Sequence, residues 1–351
     1  MHEHSSEAVF GNPSFDGHEQ VVFVRDRASG LNAIIAIHST RLGPALGGCR
    51  LWPYQNEEAA LRDALRLSRG MSYKNALARL DYGGAKAVII ADARDKSPAL
   101  LRAFARAVES LGGRYIAGAD VGISGADIEI MHSETAHVRG LGGRGIGDPS
   151  PYTARGVLAG MRAAAARRFG SESLGGLRIA VQGLGKVGSH LCHLLRGEGA
   201  RLVISDIDSL RVGQLADRFG ADVVPPGETH AADCDILAPC ALGGILNKET
   251  IPEIRARVVA GAANNQLDTG GDGERLMEHG ILYAPDYAIN AGGAIAVAHE
   301  GQRPRQAIVR QVEAIGATLA RIFALAEANR CPTSVIADLI AEERLDGLRA
   351  A

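Results

Sequence analysis

The stretch Ile179-Ala-Val-Gln182 and the glycine-rich Gly183-Leu-Gly-Lys-Val-Gly188 that follows it decide the fold of the second half of this chain. The first four residues, together with Arg178 before them, predict a buried strand at 178–182, and the leucines after Gly188 have the spacing of a helix face. Glycines at the first, third and sixth positions permit a tight turn and a close backbone approach to a pyrophosphate, which the helix amino terminus stabilises. The order of strand, glycine loop and helix therefore predicts a doubly wound, dinucleotide-binding domain.

Asp206 stands at the end of the next candidate strand, 201–205, and 18 residues after Gly188. A carboxylate at this position accepts hydrogen bonds from ribose hydroxyls and repels a 2′-phosphate, so the sequence favours NAD over NADP. The alternative is a glycine-rich turn in a Rossmann-like domain that binds no nucleotide. The rest of this half alternates strands with helices, as a doubly wound sheet requires. Further candidate strands are 222–224, 234–238, 258–262 and 280–283, and a long amphipathic helix is predicted at 304–330.

Two lysines in apolar surroundings mark the first half of the chain. Lys74 ends an amphipathic segment, and Lys86 follows the turn Gly83-Gly84 and leads into the apolar run Val88-Ile89-Ile90. Most lysines are solvated surface residues, but neither of these lies on a charged face. A partly buried ammonium near a second one gives up its proton more readily. We therefore expect one lysine to bind an anionic group and the other to do acid–base work.

Polar side chains follow several of the predicted strands. Asp120 comes after the short strand predicted at 114–118, and groups that do chemistry in α/β sheets gather at the carboxyl ends of strands. A turn aspartate or a helix N-cap is the alternative interpretation of this residue. Asn264 and Asn290 also lie in loops after predicted strands, where an amide can bind a carboxamide or a carboxylate, or simply stabilise a turn.

Two glycine-rich stretches interrupt these elements. The first, 42–50, is interpreted either as a loop that brings the backbone close to a ligand or as a plain turn between a strand and a helix. The second, 140–151, is the strongest composition break and is interpreted as a linker between domains. We therefore expect a first, α/β domain at 1–148 and a dinucleotide-binding domain at 149–330, with a terminal helical segment, 331–351, that folds back on the first domain.

Composition and charge exclude several classes of protein. With 351 residues, 46% hydrophobic and 22% charged, and a formal net charge of −2, the chain is long enough for two cores and offers no basic surface to a nucleic acid. Five cysteines, an odd number without tight spacing, indicate reduced thiols and a cytoplasmic protein. The sequence has no signal pattern, no membrane-spanning run and no metal-binding histidine motif, so we expect no membrane partner and no metal.

The groups singled out so far suit one kind of chemistry. A nicotinamide dinucleotide implies hydride transfer, and an ammonium beside a carboxylate suits an α-amino acid as the hydride donor. Lys74 would hold the carboxylate of such a substrate, and Asp120 would take a proton from its ammonium. Lys86 would then activate the water that hydrolyses the imine to a 2-oxo acid and ammonia. The residues must converge in space for this chemistry to occur.

Eight short motifs, spread over nearly the whole chain, resemble those of the Glu/Leu/Phe/Val dehydrogenases in sequence and in order. They are Gly-Pro-Ala-Leu-Gly-Gly-Cys-Arg (43–50), Gly-Met-Ser-Tyr-Lys-Asn (70–75), Gly-Gly-Ala-Lys (83–86), Ala-Asp-Val-Gly (119–122), Gly-Leu-Gly-Lys-Val-Gly (183–188), Ala-Pro-Cys-Ala-Leu-Gly-Gly (238–244), Ala-Asn-Asn-Gln-Leu (263–267) and Tyr-Ala-Pro-Asp-Tyr (283–287). Leucine and phenylalanine dehydrogenases look most similar. The resemblance implies an amino-terminal substrate domain, a carboxy-terminal Rossmann domain for NAD, a cleft between them and a homo-oligomer.

The resemblance also implies roles for single residues. Lys86 matches the catalytic lysine of the family and Asp120 its catalytic aspartate. Lys74 matches the lysine that binds the substrate carboxylate, and Asn264 a residue that also contacts it. The expected substrate-binding residues are Gly47, Gly48, Met71, Lys74, Gly118, Asn264, Ala294 and Val297. The expected cofactor-binding residues are Gly183, Leu184, Gly185, Lys186, Val187, Gly188, Asp206, Ala241, Asn264 and Asn290.

Departures from the family pattern bear on the substrate. Gly118 stands where leucine enzymes typically carry alanine and phenylalanine enzymes glycine, and Ala294 stands where leucine enzymes usually carry valine. Both changes remove volume and favour a larger side chain, since a methylene or two in such a pocket is worth about 1–3 kcal/mol. Three other positions look leucine-like: Leu46, Met71 and Val297. Arg139 is either a cation that faces the pocket or a solvated arginine.

The main prediction is an enzyme that carries out reversible, NAD-dependent oxidative deamination of a hydrophobic L-amino acid, with phenylalanine slightly ahead of leucine as substrate. A leucine or branched-chain amino acid dehydrogenase is the alternative within the same family. The competing class is a non-catalytic NAD-binding sensor, which would need none of Lys74, Lys86 and Asp120. The expected partners are a hydrophobic amino acid, its 2-oxo acid, ammonia and NAD, with no nucleic acid and no membrane.

Overall fold

The computed structural model describes residues 9–141 and 146–347 and divides into two compact units. Of the described residues, those up to 148 and those from 341 onward form one unit, and residues 149–340 form the other. Within the described residues, no helix has the length and apolar character needed to cross a membrane, and no three His, Cys, Asp or Glu side chains cluster as metal ligands would. All five cysteines are free thiols.

The first unit is built on a five-stranded mixed sheet. Its elements are β1 (Gln20–Asp26), β2 (Leu31–Ser39), β3 (Ala45–Trp52), α1 (Glu57–Leu77), β4 (Gly83–Ile90), α2 (Pro98–Glu109), β5 (Tyr115–Ala119) and α3 (Gly125–His132). The strand order is β1-β2-β4-β3-β5, in which β2 is antiparallel to β1 and β4, and β3 is parallel to β4 and β5. The carboxyl ends of β3, β4 and β5 therefore lie along one edge of the sheet.

Helix α1 covers one face of this sheet, and α2 and α3 cover the other. Side chains alternate along β2, so Ile34 packs in the cluster formed with α1 and Ile35 packs in the cluster formed with α2 and α3. The start of α1 is fixed by Asn56, whose side chain accepts a hydrogen bond of 2.8 Å from the amide of Ala59. The buried face of α1 positions its last turn against the sheet.

The second unit is built on a six-stranded sheet in which all pairings are parallel. Its elements are α4 (Ser150–Phe169), β6 (Arg178–Gln182), α5 (Lys186–Gly197), β7 (Arg201–Ser205), α6 (Ser209–Phe219), β8 (Asp222–Val223), β9 (Ile236–Pro239), β10 (Val258–Val259), α7 (Asp272–Glu278), β11 (Leu282–Tyr283), α8 (Asp286–Ile289), α9 (Gly292–Ala298), α10 (Arg305–Glu313), α11 (Ile315–Asn329) and α12 (Thr333–Gly347), whose residues from Ala341 onward belong to the first unit. The order β11-β10-β9-β6-β7-β8 is the Rossmann order counted from β6. The predicted α/β fold class with a doubly wound second domain is confirmed.

Three predictions of local structure are wrong. Gly83 and Gly84, predicted as a turn, are the first two residues of strand β4. The stretch 42–50, predicted as a loop or a plain turn, contributes most of strand β3. Position 47 of that strand has to be glycine, because a Cβ there would overlap the carbonyl oxygen of Ala85 on β4. The helix predicted at 304–330 divides at Ala314, where α10 ends before α11 begins. Positions 142–145 of the predicted linker lie outside the described residues.

Candidate active site

Lys86 and Asp120 form an ion pair in the first unit. Lys86 lies in β4, Asp120 directly follows β5, and the Lys86 Nζ contacts Oδ2 of Asp120. The side chains are only 8% and 18% exposed, so the two charges are largely removed from water and depend on each other for stabilisation. The structure brings together the two residues for which the sequence predicts acid–base chemistry.

Gly48 leaves room for this ion pair. It lies in β3, in register with Gly118 of β5. A Cβ built on Gly48 would lie 2.9 Å from the Cβ of Asp120, 3.2 Å from the carbonyl oxygen of Ala119 and 3.4 Å from the Nζ of Lys86. Contacts of this length are at or below the usual limit for carbon, so a larger residue would push the carboxylate aside. Gly48 therefore belongs to the same constellation.

Lys74 lies in the last turn of α1 and is half-buried. This end of the helix packs directly on β4, because a Cβ on Gly84 would overlap the backbone nitrogen of Ser72. Lys74 and Lys86 each follow the Ser72–Gly84 contact by two residues, one on the helix and one on the strand. Gly84 is thus a strand residue whose close contact with Ser72 positions both lysines relative to each other.

Arg50 is a second cation on Asp120, and the sequence did not point to it as a site residue. Its Nε donates a hydrogen bond of 3.2 Å to the same Oδ2 that Lys86 contacts. Burial acts to raise the pKa of Asp120, but the charges of Lys86 and Arg50 outweigh it and bring the pKa to about 2. Asp120 is therefore ionised at neutral pH. The alternation of side chains along a strand could have pointed to Arg50, because it places Arg50 on the same face of β3 as Gly48.

The glycine loop of the second unit joins β6 to α5. Gly183 has a φ of +94°, and a Cβ there would lie 2.8 Å from the Cβ of Ala241. A Cβ on Gly188 would overlap the carbonyl oxygen of Gly183, so α5 packs closely on the loop. At Gly185, the N-cap of α5, nothing lies within 4 Å of a Cβ. The backbone at the helix amino terminus is thus open to a pyrophosphate, as dinucleotide binding requires.

Asp206 follows β7 and is tied to the glycine loop. Its Oδ2 accepts a hydrogen bond of 2.5 Å from the amide of Leu184, and its Oδ1 accepts one of 2.9 Å from the amide of Asp208. Each carboxylate oxygen has a further lone pair, so these contacts leave acceptor capacity for ribose hydroxyls. Lys186 and Val187 begin α5, directly after the open glycine. Residues 183–188 and Asp206 therefore lie together where β6 leads into α5.

Asn264 and Asn290 are joined by a hydrogen bond in loops beyond β10 and β11. The Nδ2 of Asn290 donates to Oδ1 of Asn264 over 2.8 Å and to the carbonyl oxygen of Ala262 over 3.0 Å. Asn290 is buried, and among the described residues its Oδ1 has no hydrogen-bond partner. A buried acceptor without a partner usually signals a missing ligand or water. The site is chemically suited to the carboxamide of a nicotinamide.

Gln266 and Asp286 fix the loop that carries Asn264, and the sequence did not point to either as a site residue. The Nε2 of Gln266 donates to two carbonyl oxygens of the loop, each over 3.0 Å. The Oδ2 of Asp286 accepts a hydrogen bond of 2.7 Å from the amide of Asn265, whose φ is +52°. Both residues belong to motifs that resemble those of the family, so the sequence could have singled them out. It could not have shown that their role is to hold the loop.

The residues predicted to select the substrate side chain lie in both units. Met71 is half-buried in α1, and Gly118 is buried in β5 with nothing within 4 Å of a Cβ. Ala294 and Val297 lie three residues apart on one side of α9 and are half-buried, whereas most of their helix is buried. Arg139 donates to two carbonyl oxygens of its own segment, over 3.0 and 3.2 Å, so its guanidinium is engaged by the main chain.

Comparison with protein families settles the class. Residues 18–137 match the dimerisation domain of the Glu/Leu/Phe/Val dehydrogenases, and residues 204–335 match the glutamate/leucine/phenylalanine/valine dehydrogenase domain. The chain belongs to the Glu/Leu/Phe/Val dehydrogenase family. The resemblance noted in the sequence is confirmed, and so is the prediction of an amino-acid dehydrogenase.

Individual relatives cover almost the whole chain. Leucine dehydrogenase from Geobacillus stearothermophilus is 51% identical over 339 residues, which are 95% of this chain and 92% of that protein. Valine dehydrogenase from Streptomyces albus is 49% identical and covers 95% of this chain and 94% of its own length. The crystal structure of L-tryptophan dehydrogenase from Nostoc punctiforme is 46% identical, covers 95% of this chain and 97% of that one, and has a TM-score of 0.81. These relatives give the predicted preference for phenylalanine no support.

Proposed function

We propose that this chain catalyses the NAD-dependent oxidative deamination of a hydrophobic L-amino acid, with leucine or another branched-chain amino acid as its substrate. The observation that carries the proposal is the buried ion pair of Lys86 and Asp120 beside Gly48. Leucine takes the place of phenylalanine because a leucine dehydrogenase is 51% identical to this chain. The small size of Gly118 and Ala294 favours a larger substrate, but two positions carry less weight than 51% sequence identity to a leucine dehydrogenase.

Substrate binding would begin with charge pairing. Lys74 would hold the carboxylate of the amino acid, since it is half-buried and lies two residues beyond the contact that also positions Lys86. Asn264 would add a polar contact to the same carboxylate. The ammonium of the substrate would approach Asp120, which is ionised and therefore attracts it.

The incoming ammonium would compete with Lys86 for Oδ2 of Asp120. Once displaced, Lys86 would lose its counter-ion and lie beside a second cation, and both changes favour transfer of its proton to solvent water. Asp120 would take a proton from the substrate ammonium, which makes the nitrogen lone pair available to expel the hydride from Cα. Lys86 would then act as the base for the water that attacks the imine, giving the 2-oxo acid and ammonia.

NAD, when bound, supplies the acceptor for the hydride. The loop 183–188 would hold its pyrophosphate, since Gly185 is open and lies at the amino terminus of α5. Asp206 would accept hydrogen bonds from the ribose hydroxyls, and its charge would disfavour NADP. Asn290 would receive the carboxamide, because its buried Oδ1 is an acceptor without a partner among the described residues. Ala241 would border the loop.

A homo-oligomer in the cytoplasm is part of the proposal. Its support is the match of residues 18–137 to a dimerisation domain and the free state of the five cysteines.

The decisive test is the absorbance of NADH after mixing the purified protein with NAD and single L-amino acids. We expect kcat/KM to rank leucine, valine and isoleucine above phenylalanine and tryptophan, and glutamate last. The same panel with NADP should give a much weaker signal. A matched control is Lys86→Met, which should bind NAD but turn over every amino acid far more slowly than the wild type.

Each result of this panel has a defined meaning. Phenylalanine or tryptophan ranking first would overturn the substrate proposal but leave the class intact. Tight NAD binding without turnover of any amino acid would point to a non-catalytic NAD sensor. A preference for NADPH would contradict the role given to Asp206.

A further inference from the structure

Arg50 lies between two carboxylates in the first unit. Its Nε donates to Oδ2 of Asp120 over 3.2 Å, and its Nη1 donates to Oδ2 of Asp63 over 2.9 Å. The same oxygen of Asp63 accepts a hydrogen bond from the Tyr54 hydroxyl. The Arg50 side chain is 19% exposed, and those of Asp63 and Asp120 are 25% and 18% exposed. The guanidinium is thus held by partners on both sides and is largely shielded from water.

These residues come from separate parts of the first unit. Arg50 belongs to β3, Asp63 to α1 and Asp120 to the end of β5, while Tyr54 lies between β3 and α1. A planar guanidinium bound at two different nitrogens cannot rotate without breaking one of its contacts. Arg50 is therefore held in place by β3 and α1, and its hydrogen bond in turn holds the carboxylate of Asp120.

We propose that Arg50 is a positioning residue that keeps the Asp120 carboxylate in its reactive orientation while the proton state of Lys86 changes. The inference rests on the proposed function for the part played by Asp120. Asp63 and Tyr54 anchor Arg50 from the other side and do so without contacting Asp120.

Two cations share one oxygen of Asp120, and they differ in what the reaction does to them. Lys86 has to leave the carboxylate or lose its proton during turnover if it is to act as a base. Arg50 cannot be deprotonated in a protein, so its hydrogen bond persists through every step. With Lys86 alone, Asp120 would have no cationic partner left when Lys86 changed state. Arg50 supplies a second cation that stays in place.

Arg50 also sets the charge state of Asp120. Burial raises the pKa of this carboxyl group, and the charges of Lys86 and Arg50 are the largest of the influences that lower it. Removal of Arg50 should therefore raise the pKa of Asp120 and move the acid limb of the pH–rate profile to higher pH. A residue that only supported the fold would lower the activity without moving this limb.

The test compares Arg50→Gln, Arg50→Lys and Asp63→Asn with the exposed control Arg62→Gln. Arg62 pairs with Glu58 on the same helix as Asp63, and both side chains are more than half exposed. For each variant, kcat, the KM values for amino acid and NAD, and the pH profile of kcat/KM would be measured. Crystal structures of the wild type and of Arg50→Gln would give the orientation of the Asp120 carboxylate relative to the Lys86 Nζ.

We expect Arg50→Gln to lower kcat by about 100-fold, the size of effect that a misplacement of about 1 Å produces, with KM for NAD unchanged. Its acid limb should shift upward, and its Asp120 carboxylate should turn away from Lys86. Arg50→Lys should restore the position of the acid limb but only part of kcat, because an ammonium lacks the fork that binds two partners. Asp63→Asn should lower kcat by about 10-fold without moving the limb, since the charge of Arg50 stays. Arg62→Gln should behave as the wild type.

Failure of the inference and failure of the proposed function are distinguishable. An active wild type together with an Arg50→Gln variant of normal kcat, unmoved acid limb or unmoved carboxylate would overturn the positioning role. A wild type that oxidises no amino acid would overturn the proposed function, and the crystal structures would still test whether Arg50 orients Asp120. If Arg50→Gln does not fold, the kcat values of Arg50→Lys and Asp63→Asn test the positioning role instead. A normal kcat in both variants would then overturn it.

Discussion

Gly48→Ala is expected to slow catalysis strongly in a protein that still folds. The added Cβ would lie 2.9 Å from the Cβ of Asp120, against an ordinary contact limit of 3.4 Å, so Asp120 has to move by at least about 0.5 Å. Since a misplacement of about 1 Å costs roughly 100-fold in rate, we expect kcat to fall by about 10- to 100-fold. Overpacking of this kind destabilises by about 1–3 kcal/mol, which leaves a folded enzyme.

Gly118→Ala is the matched variant for stability. Gly118 is in register with Gly48 on the neighbouring strand, but nothing lies within 4 Å of its Cβ. Its free energy of unfolding should therefore change by less than about 1 kcal/mol. Gly213→Ala, on an exposed position of α6 with nothing within 4 Å, controls for activity. The assays are urea unfolding and kcat from NADH absorbance. Normal kcat in Gly48→Ala, or equal destabilisation of the two strand variants, would refute the reasoning.

Three further substitutions test the site and the fold. Lys86→Met should lower kcat by about 10²- to 10⁴-fold, the usual contribution of an acid–base group, with an unchanged circular dichroism spectrum. Asp206→Asn should weaken NAD binding by about 10- to 100-fold and reduce the preference over NADP in titrations, because hydrogen bonds to a charged acceptor are lost. His38 has its pKa lowered to about 4, chiefly by burial, so the unfolded chain binds more protons between pH 6.5 and 4. The wild type should lose about 3 kcal/mol of stability as the pH falls through that window, and His38→Asn should lose much less.

Each of these three has a result that would contradict it. Near-normal turnover in Lys86→Met would remove this lysine from the chemistry. An Asp206→Asn variant with unaltered discrimination between NAD and NADP would show that selectivity lies elsewhere. For His38, urea midpoints would be measured from pH 7 to pH 4. The expectation would be contradicted if the midpoint fell with pH equally steeply in the wild type and in His38→Asn.

The sequence predicted the second unit well where the deciding contacts are local. Strands β6 and β7 have the bounds expected from their apolar runs, 178–182 and 201–205. The glycine loop between β6 and α5 packs as its spacing requires, because the two atoms nearest to a Cβ on Gly188 belong to Gly183, five residues earlier. Such information is present in a short window of sequence.

The first unit shows where this approach fails. Gly47 and Gly48 have the composition of a turn, but they lie in a strand, where the close approach of β4 and of Asp120 leaves no room for a larger side chain. The pairing of Arg50 with Asp120 spans 70 residues of sequence, and its pairing with Asp63 spans 13. No local pattern predicts such contacts, because they depend on which strands and helices lie next to one another in the folded unit.

The left-handed backbone of Asn265 has a consequence for affinity. A loop that became ordered only when its ligand arrived would lose about 1–2 kcal/mol of conformational entropy per residue at that moment. Here the amide of Asn265 is held by Asp286 and the neighbouring carbonyl oxygens are held by Gln266, so the ordering takes place when the chain folds. Ligand affinity at Asn264 is thereby decided in part by side chains that never touch the ligand. Loss of the Asp286 contact would therefore lower the affinity without removing any contact to the ligand and without slowing a chemical step. The cause would be the conformational entropy that the loop then loses on binding.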